Sequence, residues 1–235
     1  MSKYSGESKN KLLREKSQRM NNMFQELQQA LYKEETRRGP AFWTENLLPG
    51  QTVYDEKLSG NGALRQWSIK KSKIGAALAK GLPKIPIKQG DVILYLGAST
   101  GTTVSHLSDM IGKNGMIFAV EYSFYMLRRL VFLAEKRKNI APILADANHP
   151  ERYQASICEV DFMFQDISQK NQVEIFLKNL KFLKQDGKAM LALKAKSIDV
   201  VADPRQVYAK VQHQLQREVN IVWQKTLDQI GRAHV

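Results

Sequence analysis

The sequence predicts an α/β protein: a mostly parallel sheet covered by helices on both faces, with a small N-terminal β element and an N-terminal amphipathic helix ahead of it. Three observations carry this. From residue 91 onward, short apolar runs of strand length alternate with amphipathic stretches of helix length, the pattern of strands buried on both faces and joined by crossover helices. A Pro49-Gly50 turn separates short apolar runs before that region. Residues 1 to about 38 are polar and charged and carry a single apolar stripe.

Leu12, Leu13, Met20, Met23, Phe24, Leu27, Ala30 and Leu31 recur at steps of three, four and seven, the period of a helix with one buried face. Ser8 is its expected N-cap and Gly39-Pro40 its stop. Residues 1–40 are therefore read as a basic amphipathic helix, packed on its own domain or docked on a partner. Residues 41–69, with Trp43, Leu47, Leu48, Val53 and Tyr54 around the Pro-Gly turn, read as a small β-hairpin element. Residues 70–81 read as a helix. Strands are expected at 91–96, 116–121, 140–144, 160–164, 188–194 and 220–227, and helices at 102–110, 124–136, 172–183 and 204–217.

Lys and Arg number 36 against 23 Asp and Glu, a net charge of +13, which favours a polyanionic partner. Seven basic residues and no acid lie between Arg65 and Lys88, read as a phosphate-tracking surface rather than only a solvated face. The single cysteine, Cys158, excludes an intrachain disulfide and a Cys-rich metal site and points to a reducing compartment. No apolar run is long enough to span a bilayer, and the N-terminus lacks the apolar core of a secretory signal.

Ligands of such sheets sit outside the carboxyl ends of the strands, and unusual residues gather there. After the first strand comes Gly97-Ala98-Ser99-Thr100-Gly101-Thr102-Thr103, two glycines before a helix N-terminus. It lacks the third glycine of a dinucleotide fingerprint and the lysine of a phosphate-cradling loop. The second strand ends in Glu121, a carboxylate able to accept both ribose hydroxyls of a nucleoside. The third ends in Asp146-Ala147, and the fourth runs into Gln165-Asp166-Ile167-Ser168-Gln169. Carboxylates without a phosphate cradle suit a cationic sulfonium cofactor better than a pyrophosphate. Lys194 closes the fifth strand inside an apolar run, facing the ligand edge, and Lys73 lies in the basic stretch before the sheet begins.

These residues are similar to a known family. YLGASTGTTVSHLSD, AVEYS, ILADANHPERY, QDISQ, ALKAKSID and NLLPGQTVYDEK together resemble the fibrillarin family in its archaeal form, over roughly residues 41–229. The resemblance implies a Rossmann-like class I methyltransferase domain over 70–229. It implies transfer of a methyl group from S-adenosyl-methionine to ribose 2′-hydroxyls of rRNA and tRNA, as the catalytic subunit of a box C/D guide-RNA particle. The implied partners are rRNA and tRNA substrates, the guide RNA, a coiled-coil scaffold protein and a kink-turn-binding protein, with no membrane. The implied location is the archaeal cytoplasm, or the nucleolus for a eukaryotic source. Cofactor contacts are implied at Gly97, Ala98, Gly101, Thr102, Thr103, Glu121, Tyr122, Asp146, Ala147, Asp166, Ile167, Ser168 and Gln169, and catalytic roles at Lys73, Asp166 and Lys194; no metal is implied. The fourth member of the family's catalytic set falls on His234. However, Ile230–Val235 matches a translated sequencing-adapter string. The native frame is expected to end near Gln229, and this tail is left out of the site. The alternatives are a non-catalytic RNA-binding scaffold subunit and a methyltransferase acting on protein or a small molecule. A NAD-dependent oxidoreductase is disfavoured by the incomplete glycine fingerprint.

Overall fold

The structure, a computed structural model, describes residues 23–227. Two five-stranded sheets organise them. The first is antiparallel, β1 (Gln25–Gln28), β2 (Leu31–Thr36), β3 (Gly39–Glu45), β4 (Leu58–Ser59) and β5 (Leu64–Trp67), in the order β1-β2-β3-β5-β4. The second is wholly parallel, β6 (Val92–Leu96), β7 (Met116–Glu121), β8 (Ile140–Leu144), β9 (Val160–Gln165) and β10 (Leu183–Leu191), in the order β10-β9-β6-β7-β8. The helices are α1 (Lys73–Ala79), α2 (Thr102–Ile111), α3 (Phe124–Lys136), α4 (Gln172–Asn179), α5 (Ala195–Ile198) and α6 (Pro204–Leu215).

The parallel sheet forms because β6 and its neighbours are apolar on both faces. Ile93 and Tyr95 join the core with Ile117, Phe162 and Leu107 on one side; Leu94 and Leu96 join Val120, Met163 and Ile175 on the other. The chain runs β6, β7, β8 outward, then returns across β6 to lay down β9 and β10. The strand order therefore reverses between β6 and β9, where such folds open a cleft at the carboxyl ends.

The N-terminal reading needs correction. Residues 1–22 lie outside the described residues, but 25–45 form three antiparallel strands rather than the end of a helix, so the β element begins well before residue 41. Leu27, Ala30 and Leu31 match a helical period because the chain reverses there: Gln28 pairs with Leu31, and Ala30 takes φ 63 in the turn. No glycine, proline or asparagine advertises that turn. Gly39, at φ 103, closes the β2–β3 hairpin rather than stopping a helix. Pro40 is tolerated because β5 pairs with β3 only from Phe42 to Glu45, so the missing N–H breaks no bond on that side.

The expected strand at 220–227 is also absent. That segment has no regular structure, although Trp223 and Leu227 pack against the main core. Apolar side chains can be buried there without a ladder partner. The helix at 172–183 is shorter than expected, ending at Asn179 and passing through a 3₁₀ turn into β10. Ile230–Val235 and His234 lie outside the described residues. No helix among the described residues is long and apolar enough to cross a membrane.

A buried polar cluster ties the two sheets together. Arg65, fully buried, pairs with Glu56 (2.6 Å) and Asp109 (2.7 Å), and the other Asp109 oxygen pairs with Arg137 at 2.6 Å. Arg65 therefore leaves the basic stretch expected to track phosphates; Lys70, Lys71, Lys84 and Lys88 stay exposed there. Beside it, His106 is stacked on Trp67 at 4.8 Å, with its ring nitrogens on Thr44 Oγ1 (2.8 Å) and the Tyr54 hydroxyl (2.6 Å). Thr44 Oγ1 also lies 3.1 Å from Asp109 Oδ2, and the Tyr54 hydroxyl 3.1 Å from the Gln66 carbonyl. Burial, and then the Arg65 and Arg137 charges, hold the His106 pKa well below the ordinary 6.5.

The unfolded chain takes up a proton at this histidine below about pH 6.5, whereas the folded chain does not. Stability should therefore fall as pH drops through that value, by up to about 1.4 kcal/mol per pH unit. Thermal melts from pH 7.5 to 5.5 should show this decline, and a His106→Asn variant should lose most of it. A parental slope in that variant would assign the pH dependence elsewhere.

Candidate functional site

The strand-end residues converge at the carboxyl edge of the parallel sheet. Gly97 leaves β6 at φ 81, and a Cβ there would stand 2.6 Å from the Asp166 carbonyl and 3.0 Å from Ile167. Only glycine lets the loop after β6 lie against the loop after β9. Gly101 is required for another reason: at φ 90 it caps α2, and a Cβ would strike Leu130 and Leu133 of α3. That absence of a Cβ lets α2 start against α3. The turn delivers Thr102 and Thr103 as the first residues of α2, where a helix start leaves backbone N–H groups without intrahelical partners. Ala98 and Ala147 are buried small residues beneath the site.

Glu121 is held in place by backbone. Its Oε2 accepts from Ser99 N and its Oε1 from Ser123 N, both at 2.7 Å. Each oxygen keeps a lone pair, so the carboxylate is oriented in advance for two further donors. Tyr122 beside it is 71% exposed, its ring open to the solvent side of the site. Asp146 uses Oδ1 to accept from both the backbone and the side chain of Asn148 (2.9 and 3.1 Å). Asn148 also donates to Gln169 Oε1 at 2.7 Å and accepts from Asn171 at 2.6 Å. This amide network joins the loop after β8 to the loop after β9. Sequence reasoning missed Asn148 and Asn171; an amide two residues after Asp146 was the available signal.

Lys194 and Asp166 come together. Lys194 Nζ lies 2.7 Å from Asp166 Oδ1 and donates to Ser168 Oγ at 2.7 Å. Asp166 Oδ1 is buried without a donor aligned on it as a hydrogen bond, so the contact is ionic and the oxygen keeps acceptor capacity. Lys194 does not end the fifth strand as expected: β10 stops at Leu191, and Lys194 is the residue before α5, still extended at φ −111.

Lys73 opens α1, half-buried, behind the N-cap Ser72. Ser72 accepts from Thr103 Oγ1 at 3.0 Å, which sets the start of α1 against the start of α2. The buried Tyr95 ring lies between these parts. Burial, and then the Asp166 and Glu121 charges, push its phenol well above the ordinary value, while its bond to Thr103 acts the other way. Tyr95 therefore stays a neutral donor inside an acidic site. It reads as a core strand residue in the sequence, which hides its polar end.

Three oriented carboxylates, a helix start without a lysine cradle, and a lysine paired to one of those carboxylates define the chemistry. The donor set fits a nucleoside carrying a cation better than a pyrophosphate. Glu121 and the uncommitted acceptor capacity of Asp146 and Asp166 take hydroxyl, amino or ammonium protons, and their charge attracts a sulfonium. Among the described residues, no group of three His, Cys, Asp or Glu is placed to hold a metal ion.

The family model described as Fibrillarin matches residues 19–235. A relative from Thermococcus onnurineus, named fibrillarin-like rRNA/tRNA 2′-O-methyltransferase, is 43% identical over 194 residues, 81% of this chain and 86% of its own length. Fibrillarin from Aeropyrum pernix, solved with natively bound S-adenosyl-L-methionine, superposes with a TM-score of 0.77 at 39% identity, covering 86% of this chain and 90% of that one. A fibrillarin/Nop5p complex contains a chain with a TM-score of 0.70 at 37% identity, covering 75% of this chain and 82% of its own.

Proposed function

This chain belongs to the fibrillarin family, and from that premise we propose that it is an S-adenosyl-methionine-dependent ribose 2′-O-methyltransferase of rRNA and tRNA. In this reading it is the catalytic subunit of a box C/D guide-RNA particle in the archaeal cytoplasm. The observation that carries the reading is the Lys194–Asp166 pair (2.7 Å), at the same sheet edge as two further strand-end carboxylates, Glu121 and Asp146. A scaffold subunit without chemistry has no use for that pair. The relative solved with Nop5p supports a protein scaffold as one partner; the kink-turn-binding protein and guide RNA complete the proposed assembly.

When bound, S-adenosyl-methionine supplies an electrophilic methyl group. Glu121 would accept the ribose hydroxyls of its nucleoside, Asp146 and Ala147 would hold its base, and the loop Asp166–Gln169 would line the remainder. Lys194 would present its cationic Nζ to the attacking 2′-oxygen and offset the negative charge that grows there as the hydroxyl proton passes to water; loss of the methyl leaves the sulfonium as a neutral thioether. Asp166 and Ser168 hold that amine in place, and Lys73 adds a second positive charge on the side where the acceptor phosphate lies. The protein's main contribution is alignment of two reactants that meet only when both are held.

Removing Glu121 should test the cofactor half. Glu121→Ala deletes an oriented, charged acceptor of two hydrogen bonds. Calorimetry with S-adenosyl-methionine should show affinity roughly 10–100-fold weaker; unchanged affinity would remove Glu121 from the site.

The guide-directed half is tested by reconstitution. The exposed lysines at 70, 71, 84 and 88 supply salt-sensitive, sequence-neutral affinity. The chain alone should therefore methylate RNA poorly and without a fixed site. Adding guide RNA and the two partner proteins should yield methylation at one nucleotide. Site-specific methylation by the chain alone would defeat guide dependence.

A further inference from the structure

The ladder between β9 and β10 ends at Leu191 opposite Gln165, with one further bond from Ala192 N to Gln165 O. Beyond it the two chains part: β9 turns into the Asp166–Gln169 loop, and β10 runs on to Lys194. A side chain takes over where the backbone pairing stops. Gln172, fully buried at the start of α4, accepts from Lys194 N at 2.9 Å through Oε1. Its Nε2 donates to Lys194 O at 3.2 Å and to Gln169 O at 2.9 Å. Gln165, also fully buried, donates its Nε2 to Gln172 O at 2.6 Å and ties α4 to the end of β9.

Both amide protons of Gln172 are thus used, and its oxygen binds the N–H of the same residue whose carbonyl it supports. A carboxamide is the only uncharged side chain of this length with one acceptor and two donors. It pairs with Lys194 as a neighbouring strand would, and its second N–H fixes the loop that carries Asp166 and Ser168, the two partners of Lys194 Nζ. This one group bonds both the lysine's backbone and its partners' loop.

We propose that Gln172 is a positioning residue for the methyl-transfer step, holding Lys194 and the Asp166–Gln169 loop in one register; this rests on Lys194 acting on the 2′-oxygen. Gln172→Met keeps length and burial but leaves the Lys194 N–H and the Gln169 carbonyl unpaired, while the Lys194 carbonyl keeps only its bond from Ser197 N at 3.0 Å. Gln172→Asn keeps the chemistry but withdraws it by one methylene, and it serves if the methionine variant does not fold. A displacement on the order of 1 Å near the reacting atoms costs up to about 100-fold in rate. Each variant should therefore lower the single-turnover rate in the assembled particle by roughly 10–100-fold, with a much smaller loss of cofactor affinity.

The deciding measurement is the double-mutant cycle with Lys194→Ala. If Gln172 acts through Lys194, its substitution should cost no more than about 2-fold once the lysine is gone. The same large factor in both backgrounds, or a loss confined to cofactor affinity and melting temperature, would reduce Gln172 to a structural residue and overturn the proposal. Parental activity in Lys194→Ala alone would instead refute the role of the lysine, and the proposal with it, whatever the Gln172 variants do.

Discussion

Lys194→Ala should lower the single-turnover methylation rate of an assembled particle by about 10²–10³-fold, the usual cost of deleting a group that stabilises charge developing in the transition state. Lys194 Nζ is held by Asp166 and Ser168 at 2.7 Å each. Its loss should thus be felt by the 2′-oxygen rather than by the bound cofactor. Affinity for S-adenosyl-methionine should change far less than the rate. Asp166→Ala should lower both, because Asp166 stands in the proposed cofactor loop as well as beside the lysine. Lys194→Arg separates the two roles open to an amine. Arginine keeps the charge and cannot accept a proton near neutral pH, so partial retention of activity is expected if the charge is what matters. Lys194→Ala particles that methylate at the parental rate would show the lysine to be a bystander.

Asp109→Ala should be the most damaging single change to the fold. Asp109 is shared by two buried arginines, Arg65 at 2.7 Å and Arg137 at 2.6 Å, and also accepts from Leu47 N and Thr44 Oγ1. Deleting it leaves two desolvated cations without their common partner, which typically costs about 3–5 kcal/mol. That is a large fraction of the stability of a domain this size. Chemical denaturation should show a midpoint shifted sharply down, or no cooperative transition. Asp109 lies on α2, whose first residues are Thr102 and Thr103, so any folded remnant should also bind S-adenosyl-methionine weakly. A parental midpoint would mean the cluster adds no net stability.

The sequence by itself determined the parallel sheet and marked the edge where its strand-end carboxylates gather. Strands buried on both faces are apolar along most of their length, so β6, β7 and β9 are legible without knowing their neighbours. The residues Gly97, Glu121, Asp146 and Asp166 stand out because they interrupt that apolar pattern at the point where each strand stops. Only the tertiary structure decided the rest, because each remaining feature depends on a partner distant along the chain. A stripe of Leu27, Ala30 and Leu31 satisfies a helical period and a hairpin equally well, and pairing with β3 and β5 selects the hairpin. Arg65 looks like one more surface cation until Glu56 and Asp109 enclose it. Residues 220–227 have the composition of a strand, but a strand also needs a neighbour to pair with, and composition cannot supply one. The pairing of Lys194 with Asp166, and the buried carboxamide of Gln172 behind them, exist only where β9 and β10 diverge. Local periodicity records which faces are buried; which groups meet across a cleft is set by long-range packing, and no window of sequence contains it.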